Sequence, residues 1–314
     1  MHRYRSNGKL LITGEYVVLD GAKALAVPSK FGQSLSLVKG EPGQIQWSAV
    51  LSTGKPWFNV SLDISNPSKI IPLKNRQPST EELNKTQTLI KILEEAQKLN
   101  PEFINPEQGY KVETILEFPT DWGLGSSSTL ITNIAQWAEV NPYTLLWNSF
   151  KGSGYDIACA SNNQSLIYEL NQKSPKVQLV DFKPQFSDHL FFVHLNKKQN
   201  SREGIERYKT LNTDKNKKES IIQSISELTL EFTKVDSLGS FEKLMVEHEN
   251  IIASTIQLTP VKQQYFNDFK GSIKSLGAWG GDFILVTGVQ DYIEYYFKKQ
   301  GYSTILPYEE MVLY

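Results

Sequence analysis

Residues 117–128 read Glu117-Phe118-Pro119-Thr120-Asp121-Trp122-Gly123-Leu124-Gly125-Ser126-Ser127-Ser128. Upstream, Tyr110, Val112, Thr114, Leu116 and Phe118 alternate, which predicts a strand with one apolar face. Downstream, residues 126–139 predict a helix. A glycine turn between strand and helix lets the backbone bend sharply and bring its N–H groups close to an anion. The helix start adds unpaired donors and the positive end of its dipole. Serine hydroxyls there can cap the helix, bind phosphate oxygens or ligate Mg²⁺. A glycine turn with a serine cap carries the same letters, so the stretch alone does not decide between turn and anion site. No lysine follows the second glycine as a P-loop requires, and no G-x-S-x-G elbow is formed.

Working outward, residues 10–12, 16–19, 34–38, 44–51 and 57–64 read as short strands, and 66–78, with three prolines, as a loop. Ser79 and Glu82 form a capping-box pattern that opens a helix, carried on by Leu89, Ile92, Leu93, Ala96 and Leu99 and ended by Pro101. Short helices are expected at 143–150 and 155–160, and strands at 165–170, 177–182 and 190–195. Beyond these lie amphipathic helices at 220–233 and 241–256, then a helix with Pro260 in its first turn. A strand at 283–287, a helix at 292–299 and a strand at 304–306 finish the chain. Strands dominate the first half and helices with strands the second, which predicts an α+β protein with a boundary near 171–188.

The length of 314 residues suits two domains rather than one core. With 33 basic and 34 acidic side chains, nothing in the balance calls for a nucleic acid or a membrane surface, which leaves a small-molecule partner. No apolar stretch approaches a membrane span, the first ten residues lack a signal-peptide core, and the single Cys159 excludes an intrachain disulfide. A cytoplasmic location is the expectation. The four histidines show no metal-ligand spacing: His189 and His194 fall five apart in an expected strand, and His2 and His248 stand alone. Cys159 reads as a small buried residue.

Three segments in order resemble the GHMP kinases, the superfamily of galactokinase, homoserine kinase, mevalonate kinase and phosphomevalonate kinase. The first runs from Gly8-Lys9 through Gly14-Glu15-Tyr16 to Gly21; the second is the Gly123 to Ser128 turn; the third is Gly277-Ala278-Trp279-Gly280-Gly281-Asp282. A fourth, Gly152-Ser153-Gly154-Tyr155-Asp156-Ile157-Ala158, is similar to the segment that carries the catalytic aspartate of phosphomevalonate kinases. Tyr16, where mevalonate kinases usually have histidine, and Asp282 lean the same way.

The resemblance implies an N-terminal domain like ribosomal protein S5 domain 2 over residues 1–175 and a ferredoxin-like domain over 176–314, with ATP and the acceptor in the cleft between them. It implies ATP and Mg²⁺ as cofactors and transfer of the γ-phosphate to phosphomevalonate or mevalonate. Asp156 becomes the general base, and Lys9 the cation beside it and the γ-phosphate. Gly123, Leu124, Gly125, Ser126, Ser127 and Ser128 bind the ATP phosphates, with Ser127 on the metal. Glu15 is a candidate partner of metal-bound water, Tyr16 and Ser153 are acceptor-proximal, and Gly280 and Gly281 bring backbone to the transferring phosphate. Trp279 is expected to pack the domains together.

The sequence departs from the pattern in two places. Asn7 stands where the first motif normally has proline. The stretch from Ser128 to Asp156 is short for the family, and its nearest acid for Mg²⁺, Glu139, lies far along the helix. For a phosphorylated acceptor, Lys151, Lys197, Lys198 and Arg202 are the available cations. The competing readings are a sugar or homoserine kinase of the same fold and a non-catalytic nucleotide-binding homologue.

Overall fold

The computed structural model describes residues 1–73, 78–199, 201–211 and 214–314, with the backbone alone at Ser201 and Arg202. The expected loop at 66–78 and the side chain of Arg202 therefore lie partly or wholly outside the described residues. The chain forms two compact units built from interleaved segments. One comprises Met1–Gly8, Phe31–Thr120 and Gly125–Ser161, the other Lys9–Lys30, Asp121–Leu124 and Asn162–Tyr314.

Strands β1 (His2–Leu11), β2 (Ala24–Lys39), β3 (Gln44–Leu51), β4 (Pro56–Asp63), β5 (Ile71–Pro72) and β6 (Tyr110–Leu116) come first, with helix α1 (Thr80–Leu99) before β6. Helices α2 (Ser126–Trp137), α3 (Pro142–Ser149) and α4 (Tyr155–Ala160) follow. Within the first unit the sheet runs β5-β4-β3-β6-β2, with β3 parallel to β6 and the other pairs antiparallel. Alternation along β6 buries Tyr110, Val112, Thr114 and Leu116, as its sequence predicts. Tyr110 and Val112 of that face, with Leu35, Ile45 and Trp47, pack on Leu89, Leu93, Ile131, Ile134 and Leu145 from the helices. Helix α1 opens on the full capping box, Ser79 accepting from the Glu82 amide while the Glu82 carboxylate accepts from the Ser79 amide.

The second unit adds β7 (Leu166–Asn171), β8 (Ser174–Leu179), β9 (Leu190–His194), α5 (Ser201–Thr210), α6 (Lys215–Phe232), α7 (Leu238–Ile256), α8 (Val261–Tyr265), β10 (Ile273–Ser275), β11 (Phe283–Thr287), α9 (Gln290–Lys299), β12 (Ile305–Pro307) and α10 (Tyr308–Met311). Ala24, Leu25 and Ala26 pair with β7, which pairs with β8. A separate antiparallel sheet runs β10-β11-β9-β12. Its apolar face, including Phe191, Val193, Ile284 and Val286, buries against Phe266, Phe269, Ile293 and Phe297. No helix among the described residues is long and apolar enough to cross a membrane.

The α+β class holds, and several elements move for identifiable reasons. Residues 16–19 are not a strand: Val17–Asp20 form one 3₁₀ turn, because Gly14 at φ 88° and Tyr16 at φ 63° wind the chain and Gly21 closes the turn at φ 96°. Strand β8 starts three residues before its expected place, since the two-residue turn at Gln172 (φ 55°) and Lys173 fixes Asn171 opposite Ser174. Helix α6 begins at Lys215 because Asp214 caps the Asn216 and Lys217 amides. Pro260 is the N-cap of α8, one residue before its expected position. His189 closes a 3₁₀ turn ahead of β9, so only His194 lies in the strand.

Candidate active site

In the first unit Gly125 is the N-cap of α2 at φ 89°, and no side chain caps the helix. Its first-turn amides keep the donor capacity that a capping side chain would consume. Ser127 is exposed and Ser126 half-buried, whereas Ser128 is buried and donates its hydroxyl back to the Gly125 carbonyl at 2.8 Å. Beneath them, Thr129 donates to the Gln33 side chain at 2.7 Å, and Asn133 to the Gln33 carbonyl at 2.9 Å. The start of the helix is thus fastened to β2 while Ser126 and Ser127 point outward. Asn7, which stands where the resembling motif has proline, accepts from Arg5 at 2.7 Å, so the polar residue is held by a neighbour.

Asp156 sits in the first turn of α4, entered through Gly154 at φ 93°, and accepts the Ile157 amide at 3.0 Å. Ser153 is buried, and the Gly152 carbonyl accepts from the Trp147 indole at 3.3 Å. Burial first, and then the nearby Cys159 and Asp156, push the Tyr143 phenol far above its ordinary value, so it stays neutral. Cys159 is buried, as its reading predicts.

In the second unit the Lys9 ammonium donates to the Gly123 carbonyl at 2.8 Å and the Lys9 amide to the Leu124 carbonyl at 2.9 Å. Gly123 is at φ 66°, and a Cβ there would fall 2.2 Å from Cγ of Asp282. The glycine is needed both for its backbone angle and for the approach of that carboxylate. Asp282 follows a turn in which Trp279, Gly280 and Asp282 itself all have positive φ (56°, 78° and 53°). Gly281 is equally confined, since a Cβ there would meet the Gln199 side chain and the Lys197 carbonyl at 2.8 Å.

Glu15 sits in the turn that follows Gly14. It is fully buried, with Oε1 2.5 Å from the Lys274 ammonium and Oε2 3.4 Å from the His248 ring. Burial pushes its carboxyl up, while Lys274 opposes that by charge and hydrogen bond. Glu249 completes the cluster, accepting from the Ser275 amide and hydroxyl; burial raises it to about 7 against the pull of Lys274. His248 does not stand alone: its Nε2 accepts the Gly14 amide at 3.0 Å, and burial, then Lys274, hold it well below its ordinary pKa and neutral. Tyr16 is buried too; its hydroxyl donates to the Ala278 carbonyl at 2.7 Å and its ring lies 5.6 Å from Tyr208. Trp279 packs inside this unit with Tyr16, Val17, Ile225 and Ile252.

Sequence reasoning missed Lys274, Glu249 and the contact of Asp282 with Gly123. A signal existed for α7: His248 and Glu249 interrupt the apolar stripe of Phe241, Met245, Ile252 and Ile256, which marks polar groups on a core-facing side. Lys274, in a three-residue strand, had none. A cavity of about 1300 Å³ in the first unit, lined by Ser36, Val38, Gln46, Ser61 and Lys111 among others, includes none of the motif residues.

The residues at the start of α2 fit an anionic phosphate group: an uncapped first turn entered through Gly125 at φ 89°. They fit Mg²⁺ less fully. Ser127 offers one hard oxygen, and no cluster of three acidic, histidine or cysteine side chains occurs among the described residues. Phosphate oxygens and waters would supply the remaining ligands, which Mg²⁺ ordinarily accepts.

No protein-family model and no curated protein matches this sequence. Solved structures do. Mevalonate kinase of Methanococcus jannaschii superposes with a TM-score of 0.66 at 15% identity, over 97% of this chain and 96% of that one. Streptococcus pneumoniae phosphomevalonate kinase, in complex with phosphomevalonate and AMPPNP, gives 0.67 at 13% identity over 97% and 99%. Lactococcus lactis galactokinase, complexed with galactose, gives 0.63 at 12% identity over 99% and 92%. The chain has the two-domain α+β fold of the GHMP kinases.

Proposed function

We propose that this protein is an ATP-dependent small-molecule kinase, with phosphomevalonate or mevalonate as acceptor. The observation that carries the reading is the start of α2, left without a side-chain cap and entered through Gly125 at φ 89°. The near full-length likeness to three kinases of different acceptors supports the class of reaction. The Tyr16 and Asp156 motifs support the acceptor. The lone buried Cys159 suits a reducing cytosol. The domain names and the division at 175/176 belong to the same reading.

In this reading the amides of Gly123 to Ser128 bind the ATP phosphates, and Ser127 lends its hydroxyl to the metal. Mg²⁺, when bound, neutralises charge on the transferring phosphoryl. Lys9 adds a fixed positive charge there. Asp156 accepts the proton of an attacking hydroxyl and must reach within about 3 Å of it. Backbone at Gly280 and Gly281 lies against the phosphoryl, and Ser153 against the acceptor. Glu15 and Tyr16 act from beneath, bracing the 277–282 turn through Lys274 and Ala278 rather than touching the metal or acceptor.

The acceptor decides how much Asp156 matters. Mevalonate offers a hydroxyl that must lose a proton. Phosphomevalonate attacks through a phosphate oxygen that is largely ionised at neutral pH, so the carboxylate only orients it. Phosphorus NMR of mixtures with Mg²⁺-ATP and each acceptor, mevalonate, phosphomevalonate, galactose or homoserine, separates an ester product from an anhydride. Formation of either mevalonate-derived product supports the proposal; galactose or homoserine phosphate would move the acceptor to the sugar or amino-acid class. No transfer in any mixture would sink the kinase reading and favour a nucleotide-binding protein without turnover.

A further inference from the structure

Five contacts within the second unit converge on the segment Asp121–Leu124. The His194 ring bonds the Asp121 carbonyl at 3.2 Å, and Trp122 meets Phe283 edge-on at 5.4 Å. Lys9 bonds the carbonyls of Gly123 and Leu124. The Asp282 carboxylate lies on the Cα of Gly123. Of these, the last is the most costly to build. Asp282 is held at φ 53°, its amide donates to the Lys197 carbonyl at 2.7 Å, and its Oδ1 accepts the Gln199 amide at 3.1 Å. A strained aspartate fixed at three points beside an anion-binding turn signals a role for its charge.

A negative group placed there would repel a bound phosphate unless a cation stood with it. Lys9 is that cation, and Lys198 and His194 face the same carboxylate. Burial raises the Asp282 carboxyl, and Lys9, the Gln199 amide, His194 and Lys198 draw it back down.

We propose that Asp282 is a positioning residue for the phosphate-binding turn: its carboxylate holds the Lys9 ammonium on the Gly123 carbonyl and so fixes the turn before any phosphate arrives. The effect on rate rests on the kinase reading; the effect on the turn does not.

The test uses the full chain carrying Asp282→Asn or Asp282→Gly, both residues that tolerate positive φ, so that charge is removed without added strain. The Lys9 amide, bonded to the Leu124 carbonyl, reports the position of the turn by hydrogen exchange in the free protein. Both substitutions are expected to speed its exchange about tenfold or more, as loss of a charge-assisted contact implies, with amides of β9 and β11 unchanged. In the Lys9→Met background Asp282→Asn should add nothing further to that acceleration. Turnover, measured alongside, should fall in kcat more than in acceptor KM. Unchanged exchange at Lys9, a full additional effect in the Lys9→Met background, or equal loss of protection across β9 and β11 would overturn the assignment. Failure of the wild type to phosphorylate any acceptor would remove the kinase reading and leave the exchange result to decide the role of Asp282.

Discussion

A carboxylate shut away from water needs a cation, and for Glu15 that cation is Lys274, itself fully buried. Removing one partner strands the other, so Lys274→Met should destabilise the protein by ~3–5 kcal/mol, read by urea denaturation. A loss under ~1 kcal/mol would show that the pair is solvated or replaceable. Glu249 gives a pH signature. Its carboxyl is raised from 4.5 to about 7, so the folded protein keeps a proton that the unfolded chain has released. Its contribution to stability therefore falls as pH rises from about 4.5 to about 7. His248 works the other way: neutral when folded, it loses stability as pH drops below about 6.5, where the unfolded chain takes up a proton. Comparison with Glu249→Gln isolates the first slope: the variant should gain ~3 kcal/mol on the wild type between pH 4.5 and pH 8. A pH-independent difference would contradict the burial of that carboxyl.

At the scale of elements, the start of α2 carries the functional argument and that of α1 the structural one. Ser79→Ala should cost ~1 kcal/mol through loss of the capping box, measured by thermal unfolding. Gly125→Ala should cost ~1–2 kcal/mol from positive φ alone and weaken ATP binding with it; undiminished affinity would detach the turn from phosphate. Elements written in one local pattern were legible: the capping box of α1, the alternation of β6, and the glycine turn before α2. Elements set by distant partners were not. Strand β2 is 16 residues long, yet only its end reads as strand, because Ala24–Ala26 pair with β7 and Gln33–Lys39 with β6, and Pro28 falls between. Valines at 17 and 18 look like a strand but are buried in a single turn wound by Gly14 and Tyr16.

At the scale of the molecule, each compact unit borrows segments remote in sequence. Residues 9–30 and 121–124 belong with 162–314. A fragment of residues 176–314 lacks Glu15, the partner of Lys274, and Tyr16, which packs with Trp279. Such a fragment should fail to give a cooperative thermal transition by circular dichroism, whereas a folded fragment would show that the N-terminal segment is dispensable to that core. The motif letters Gly8-Lys9, Gly14-Glu15-Tyr16 and Gly277 to Asp282 were readable in the sequence, but not what joins them. The first and third meet through the Tyr16–Ala278 hydrogen bond, and the Glu15–Lys274 pair ties the first to the strand ahead of the third, both spanning more than 250 residues of chain.

Phosphoryl transfer is read by steady-state ADP release with Mg²⁺-ATP, comparing wild type with Asp156→Asn across mevalonate, phosphomevalonate, galactose and homoserine. Acceptor-dependent ADP release by the wild type is expected, with loss of ~10²–10⁴-fold in the variant on a hydroxyl acceptor and a smaller loss on phosphomevalonate. ADP release by neither protein with any acceptor would rule out phosphoryl transfer, and equal rates for both on a hydroxyl acceptor would remove Asp156 as its base.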